Sequence, residues 1–248
     1  MRLKDKIAIV TGGGSGFGEG IIKRFAKEGA KTIVADLNEE NGQRVSRETE
    51  GSIFCKVDVS VDASVKAMID LTLSEYGQVD ILVNNAGIAQ RNCPMTEVSE
   101  DLFDRIFAVN VKSIFLSALY TVPIMRKQGF GVIINTASTA AVSPRPGLTW
   151  YNGSKGAVIT ITKSMAVELA KDNIRVNALN PVIGETGLTI DFMGGVDTPE
   201  IRKKFISTIP MGRMSTPSDI GNAALFLASE ESSFITGVCL EVDGGRCI

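Results

Sequence analysis

Short apolar runs alternate with longer segments of helical spacing along the whole 248-residue chain. The first run, residues 6–11, is short and rich in β-branched side chains, as expected for a strand that is buried on both faces. Residues 19–28 follow with Ile21, Ile22, Phe25 and Ala26 on one side of a helix. The pattern therefore begins as a strand, a glycine-rich turn and a helix.

The same alternation continues towards the carboxyl end. Strands are predicted at 31–36, 52–57, 80–84, 132–136, 175–179 and 238–242, and helices at 38–49, 63–76, 100–125, 151–170 and 217–227. This alternation predicts an α/β fold, a single doubly wound (Rossmann-like) parallel sheet with helices on both faces. The length suits one domain over residues 1–248.

Composition narrows the class of protein further. The chain is 44% hydrophobic and 22% charged with a net charge of −2, which gives no electrostatic reason to expect nucleic acid or an anionic membrane surface. No apolar run approaches the length that predicts a membrane-spanning helix. Four widely spaced cysteines and the lack of any histidine argue against a metal site. Reduced thiols predict a cytoplasmic protein.

Candidate cofactor chemistry begins at residues 12–18, Gly-Gly-Gly-Ser-Gly-Phe-Gly. Glycines between a strand and a helix let the backbone approach a pyrophosphate, whose charge the helix start stabilises. The spacing is not G-x-G-x-x-G, and an ordinary flexible turn is the alternative. Asp36 ends the second strand near the offset at which an acid binds the adenosine ribose, so we expect NAD rather than NADP. The alternative for Asp36 is a solvated strand end.

Candidate catalytic chemistry lies at Tyr151 and Lys155, one helical turn apart, with Ser138 upstream. An ammonium beside a phenol favours the phenolate, so the tyrosine pKa is expected to fall from about 10 towards neutrality. Such a tyrosine is a usable general acid and base, and without histidine no commoner group competes for that role. A chance pair on one helix face is the alternative.

Seven motifs in order carry a family resemblance. They are Thr11-Gly12-x₃-Gly16-x-Gly18, Asp58-Val59, Asn84-Asn85-Ala86-Gly87, Asn110, Ser138, Tyr151-x₃-Lys155 and Asn180-Pro181-x₄-Thr186. The chain resembles the short-chain dehydrogenase/reductase family over essentially its full length. The resemblance implies an NAD(P)-dependent oxidoreductase that acts on an alcohol or a carbonyl compound.

The resemblance also implies the site residues. The catalytic set would be Asn110, Ser138, Tyr151 and Lys155, with Asn110 holding a water that passes the proton from Lys155 to solvent. The residues implied around the cofactor are Gly12, Ser15, Gly16, Phe17, Gly18, Asp36, Asp58, Val59, Asn85, Ala86, Gly87, Tyr151, Lys155, Pro181, Gly184 and Thr186. Plain structural roles, a turn at 84–87 and a backbone-bonding Asn110, are the alternatives.

The substrate side of the site is less determined. Val182 stands where the family usually has glycine, which predicts a narrower pocket or a redirected backbone. Residues 186–210 contain Gly194, Gly195 and Pro199 and suit a mobile substrate lid. Arg145 is the one nearby cation for an anionic substrate, although its proline-flanked loop favours a solvated residue.

Three functions follow from the sequence. The first is an NAD-dependent dehydrogenase of a secondary alcohol, hydroxy acid or polyol. The second is a 3-oxoacyl-carrier-protein reductase, which the chain also resembles, with Arg126, Lys127 and Lys171 available for an acidic carrier. The third is a nucleotide-binding regulator without turnover. The resemblance implies a homotetramer or dimer, with contact faces at 100–125 and 151–170.

Overall fold

The computed structural model describes residues 1–248 and contains one seven-stranded sheet. The strands are β1 (Ile7–Thr11), β2 (Lys31–Asp36), β3 (Ser52–Lys56), β4 (Ile81–Asn84), β5 (Gly131–Thr136), β6 (Ile174–Pro181) and β7 (Cys239–Val242). Their order is β3-β2-β1-β4-β5-β6-β7, and every neighbouring pair is parallel. The order reverses between β1 and β4, which makes that junction the switch point of a doubly wound sheet.

Nine α-helices connect the strands. They are α1 (Gly16–Lys27), α2 (Glu39–Glu48), α3 (Asp62–Tyr76), α4 (Glu100–Phe107), α5 (Ser113–Gln128), α6 (Thr149–Leu169), α7 (Thr189–Phe192), α8 (Pro199–Ile206) and α9 (Pro217–Ala228). One apolar layer joins α1, α2 and α9 to the sheet, and a second joins α3, α5 and α6 to its other face. The predicted fold class is confirmed.

The long helix predicted at 100–125 departs from expectation in two ways. A π-helical turn, Ala108–Lys112, separates α4 from α5, and the helix continues to Gln128. The stretch Glu100–Gln128 is also apolar enough to cross a membrane by length and composition, since its most apolar window of 18 residues has a mean hydropathy of 1.4. It lies against β4, β5 and α3, and 44% of its most apolar window is buried there. Packing against the sheet accounts for part of this apolar character, and Phe115 and Leu119 remain exposed on the other side. The sequence analysis did not predict a stretch of this length and hydropathy.

The segment predicted as a lid contains two short helices. Thr198 starts α8, because its side chain accepts a hydrogen bond from the amide of Ile201 at 3.3 Å. Between α7 and α8 the backbone turns through Gly194 and Gly195, whose φ angles are 79° and 93°. These left-handed conformations explain why glycines stand there.

Candidate active site

A cleft of about 430 Å³ opens at the carboxyl ends of the strands, where the sheet order reverses. Most of the predicted site residues line it: Gly12, Ser15, Gly16, Phe17, Asp36, Asp58, Val59, Asn85, Ala86, Gly87, Ser138, Tyr151, Lys155, Pro181, Gly184 and Thr186. Gly18 and Asn110 lie behind its walls. Residues that are far apart in the chain therefore meet in one concave site.

The glycine-rich turn forms one end of the cleft. Gly12 and Gly16 have φ angles of 64° and 53°, which side chains rarely adopt. A Cβ at Gly18 would lie 1.9 Å from the Gly12 carbonyl oxygen, so Gly18 lets α1 start directly against the turn. Gly18 therefore shapes the turn from behind rather than lining the cleft.

Asp36 lies beside this turn at the end of β2. Its Oδ2 accepts a hydrogen bond from the Gly14 amide at 2.8 Å, and its Oδ1 accepts one from the Asn38 amide at 2.8 Å. The guanidinium of Arg44 in α2 contacts the turn, where it donates to the Gly14 carbonyl at 3.2 Å, and it also donates to Glu19 Oε2 at 2.7 Å. A carboxylate thus faces the cleft, while Glu19 neutralises the neighbouring cation.

Thr11 joins the glycine-rich turn to the wall that follows β4. Its buried hydroxyl accepts hydrogen bonds from the amides of Asn85 and Ala86 at 3.0 and 3.1 Å. In return, Asn85 Nδ2 donates to the Thr11 carbonyl at 2.9 Å. These bonds hold Asn85 and Ala86 at the switch point, so Thr11, which the sequence named only as the first residue of a motif, is a positioning residue.

Tyr151 and Lys155 lie on one face of α6, as their spacing predicts, and both are buried. Lys155 Nζ donates to the Thr136 carbonyl at 2.8 Å and lies 5.9 Å from the centre of the Tyr151 ring. Ser138 starts a short turn, and its Oγ accepts from the Ala140 amide at 3.1 Å. That bond is the backbone-capping role that the sequence left as an alternative, and it leaves the Ser138 hydroxyl proton to be donated to the Tyr151 oxygen.

The expected fall in the tyrosine pKa is wrong for this structure. Burial raises the pKa of Tyr151 to about 12, although a hydrogen bond with Ser138 opposes that rise. Burial also lowers the pKa of Lys155 to about 8. Desolvation penalises both charged forms and outweighs the attraction between them. Near neutral pH, Tyr151 is therefore a phenol and Lys155 remains protonated.

Asn110 lies in the π-helical turn and is buried behind the cleft. Its Oδ1 accepts from the Ile88 amide at 2.9 Å, and its Nδ2 donates to the Ile88 carbonyl and to Ser154 Oγ, each at 3.0 Å. The side chain therefore makes the backbone contacts that the sequence left as an alternative. It fixes the chain after Gly87 against α6.

Gln90 is a residue that the sequence analysis missed. Its side chain is fully buried, and its Oε1 accepts from the amides of Trp150 and Tyr151, each at 3.2 Å. Its Nε2 donates to the Gly147 carbonyl at 3.0 Å. No residue within α6 caps its first turn, so Gln90 supplies that cap from a distant loop. Gln90 lies outside every motif, so the sequence did not indicate its capping role.

The substrate side of the cleft includes apolar residues that follow β6, two of them, Leu188 and Phe192, in the predicted lid. Val182, Ile183, Leu188 and Phe192 line it, and the Phe192 ring lies 5.2 Å from the Tyr151 ring. Other cleft-lining residues carried no sequence signal: Ala35, Leu37, Val57, Ser60, Ile88, Arg105, Val109, Thr136, Ala137 and Gly187. Only the fold shows that these residues line the cleft.

The cleft fits a dinucleotide. A Cβ at Gly14 would lie 2.9 Å from Asp36 Oδ2, and one at Gly12 would lie 3.0 Å from the Ala86 Cα. Without side chains the turn packs closely against Asp36 and Ala86, and the start of α1, with Gly16 and Phe17, opens into the cleft, where a pyrophosphate would bind. The fold and this cleft define a nucleotide-binding α/β enzyme.

Comparisons with known proteins give the family. A family model described as enoyl-(acyl carrier protein) reductase matches residues 12–246. A 4-formylbenzenesulfonate dehydrogenase of Comamonas testosteroni is 49% identical, over 100% of both chains. A 3-oxoacyl-[acyl-carrier-protein] reductase of Thermotoga maritima is 39% identical, again over 100% of both.

A solved structure agrees with these relatives. The crystal structure of a 3-ketoacyl-(acyl-carrier-protein) reductase from Brucella melitensis complexed with NADH has a TM-score of 0.95 and 47% identity, covering 99% of this chain and 100% of that chain. The chain therefore belongs to the short-chain dehydrogenase/reductase family, and it is an oxidoreductase of the type that acts on CH–OH groups. The resemblance inferred from the motifs is confirmed.

Proposed function

We propose that this protein is an NAD-dependent oxidoreductase that interconverts a secondary alcohol and a ketone, with Tyr151 as the general acid and base. The observation that carries the proposal is the burial of Tyr151, Lys155 and Ser138 together at one wall of the cleft. NAD would supply the hydride acceptor when bound. The chain's own residues would orient the substrate oxygen and move its proton.

The proton roles follow from the protonation states. In ketone reduction, the Tyr151 phenol would donate its proton to the substrate oxygen, and Ser138 would hold that oxygen by donating a hydrogen bond. The Lys155 ammonium would stabilise the phenolate that remains, because opposite charges attract strongly in a buried site. Alcohol oxidation would run the same transfers in reverse.

A route for the proton beyond Lys155 is supported by the position of Gly87. A Cβ built on Gly87 would lie 3.3 Å from Lys155 Nζ and 3.2 Å from Asn110 Oδ1. Both polar groups therefore approach the Gly87 backbone on the same side, and glycine keeps a side chain from coming between them. The proposed water held by Asn110 would connect Lys155 with solvent from this side.

The preference for NAD rests on charge. The Asp36 carboxylate lines the cleft next to the glycine-rich turn, and Arg44 is engaged by Glu19. A 2′-phosphate near Asp36 would meet an acid without an available cation. The other proposed cofactor contacts are those of the lining residues, with Asp58 and Val59 at the adenine and Pro181, Gly184 and Thr186 at the nicotinamide.

A small substrate is favoured by one relative, the dehydrogenase named for 4-formylbenzenesulfonate. The second candidate function is 3-oxoacyl-carrier-protein reduction, which the reductase relatives support. Among the cations suggested for docking an acidic carrier, Arg126 already pairs with Asp172 at 2.7 Å. This pairing weakens the case for a 3-oxoacyl-carrier-protein reductase. A regulator without turnover remains the third candidate, and the buried acid-base group argues against it.

Several wider properties are part of the proposal. Phe115, Leu119 and Val167 are 62%, 48% and 83% exposed on α5 and α6, which supports a homo-oligomer rather than a chain of 26.5 kDa alone. Light scattering tests the oligomeric state.

The four uncrosslinked cysteines support a cytoplasmic location. Residues 186–210 would act as the lid of a single domain.

The decisive experiment measures turnover of an alcohol and ketone panel with both cofactors. Tyr151→Phe is expected to lower kcat by about 10² or more, because acid-base catalysis contributes that much, while NAD affinity stays close to wild type. Tyr120→Phe is the matched control, since Tyr120 lies outside the cleft and binds Asp62. More than a tenth of wild-type activity in Tyr151→Phe would assign the proton to another group.

A further inference from the structure

A side pocket of about 40 Å³ adjoins the proposed reaction centre. Ser138, Tyr151 and Phe192 line both this pocket and the main cleft. A substrate whose oxygen meets Ser138 and Tyr151 would therefore extend into the pocket with its next atoms. The volume accommodates about three water-sized positions, which is the size of a carboxylate.

Arg145 lies in the wall of this pocket, half-buried rather than fully solvated as its loop suggested. Its guanidinium donates to Thr208 Oγ1 at 2.7 Å and lies over the Phe205 ring, 4.8 Å from its centre. Phe205 and Thr208 thereby hold the side chain in one orientation. Their contacts leave other guanidinium N–H groups available.

A second guanidinium strengthens the positive charge here. Arg246 donates to the Oγ of Ser143, which also lines the pocket, at 2.9 Å, and its buried Nε has no partner. Neither Arg145 nor Arg246 forms an ion pair, whereas Arg44, Arg126, Arg202 and Arg213 all do. Burial and repulsion from Arg246 lower the pKa of Arg145. Arg145 has a second guanidinium nearby and no ion-pair partner, which indicates that its counter-charge arrives with a ligand.

We propose that Arg145 binds an anionic group of the substrate, so that the preferred substrate is a small alcohol or carbonyl compound bearing one carboxylate or sulfonate. The inference rests on the proposed function, because Ser138 and Tyr151 define where the reacting oxygen lies. A planar guanidinium suits such oxyanions, which accept two parallel hydrogen bonds from it. Arg246 adds charge without entering the lining of the pocket.

The test compares substrates that differ only in charge. 3-Oxobutanoate is matched with 4-methyl-2-pentanone, and 4-formylbenzoate with 4-isopropylbenzaldehyde. Wild type is expected to give at least tenfold higher kcat/KM for the acid of each pair. In Arg145→Met, which keeps an apolar stem over Phe205, that ratio should fall at least tenfold through a rise in KM. Arg145→Lys should give an intermediate ratio, because it keeps the charge and loses the planar fork.

Controls separate this inference from the proposed function. Arg126→Met removes the same charge far from the pocket and should leave the ratio unchanged. Calorimetric binding of 4-formylbenzoate in the presence of NAD measures the anion site even without turnover, and Arg145→Met should weaken it at least tenfold. Turnover with neutral ketones but equal ratios in wild type and Arg145→Met would overturn the anion site alone. Anion binding that depends on Arg145 without any turnover would instead overturn the proposed function.

Discussion

The side-chain oxygen of Gln90 accepts a hydrogen bond from the backbone amide of Tyr151, across 61 residues of sequence. The same oxygen accepts from Trp150, so one buried glutamine satisfies two of the amides at the start of α6. The first turn of α6, and with it the proposed acid-base group, is therefore positioned by the loop after β4.

Replacing Gln90 tests this positioning role. Gln90→Leu would leave the amides of Trp150 and Tyr151 and the Gly147 carbonyl without partners, at a cost of about 1–3 kcal/mol in the free energy of unfolding. We expect kcat to fall more than KM changes, because the phenol loses its fixed position. Gln90→Glu keeps both acceptor bonds and should lose less activity. Equal kcat losses in the two variants would contradict a role through the acceptor oxygen.

Asp36 should determine cofactor choice. A carboxylate beside a 2′-phosphate costs about 1.4 kcal/mol or more, so kcat/KM should be at least tenfold higher with NAD than with NADP. Asp36→Ala should raise the use of NADP. Adding Glu19→Gln should raise it further, because Arg44 then keeps only its pair with Glu48 at 3.1 Å and can turn part of its charge to the phosphate. The exposed acid Glu40 provides the control, since Glu40→Ala should leave the ratio unchanged. Equal use of both cofactors by wild type would contradict the assignment.

The pH dependence should follow Lys155. Its pKa of about 8 means that the ammonium is present below pH 8 and is lost above it. Ketone reduction should therefore fall as the pH rises through about 8, since the forming phenolate loses its stabilising charge, and alcohol oxidation should rise over the same range. The two groups are coupled, so the observed value belongs to the pair. In Lys155→Arg, the pH at which the two rates change should move out of this range. An unchanged dependence of rate on pH would assign the titration to another group.

Val182 should limit substrate size. It is buried and lines the cleft, so both a pocket role and a packing role remain testable. Val182→Gly should raise kcat/KM for larger ketones relative to small ones by about 10- to 200-fold, the range that a few methylenes are worth. Val182→Ala should have a smaller effect in the same direction. A uniform loss over all substrates, with a lower Tm, would assign Val182 to packing.

Much of the fold could be predicted because its signals are local. The β-branched runs gave every strand, and β1 starts only one residue after the predicted boundary. The glycine-rich turn and the Tyr151–Lys155 spacing are also local, and the structure brings them to one cleft. The raised pKa of Tyr151 could not be predicted, since burial depends on the whole molecule. Gln90 and the contact of Arg145 with Phe205 likewise depend on segments that are distant in sequence.

The π-helical turn around Asn110 affects the contacts of Asn110 and not the alignment of the helices on either side. Such a turn accommodates one extra residue, so the helical faces before and after it keep the phase of an uninterrupted α-helix. Shortening the chain by one residue there would leave α4 and α5 aligned with their neighbours. The displaced group would be Asn110, whose amide would leave Ile88 and Ser154. A single-residue deletion there is therefore expected to remove the contacts of Asn110, and with them its proposed role in the proton route, while the packing of α4 and α5 survives.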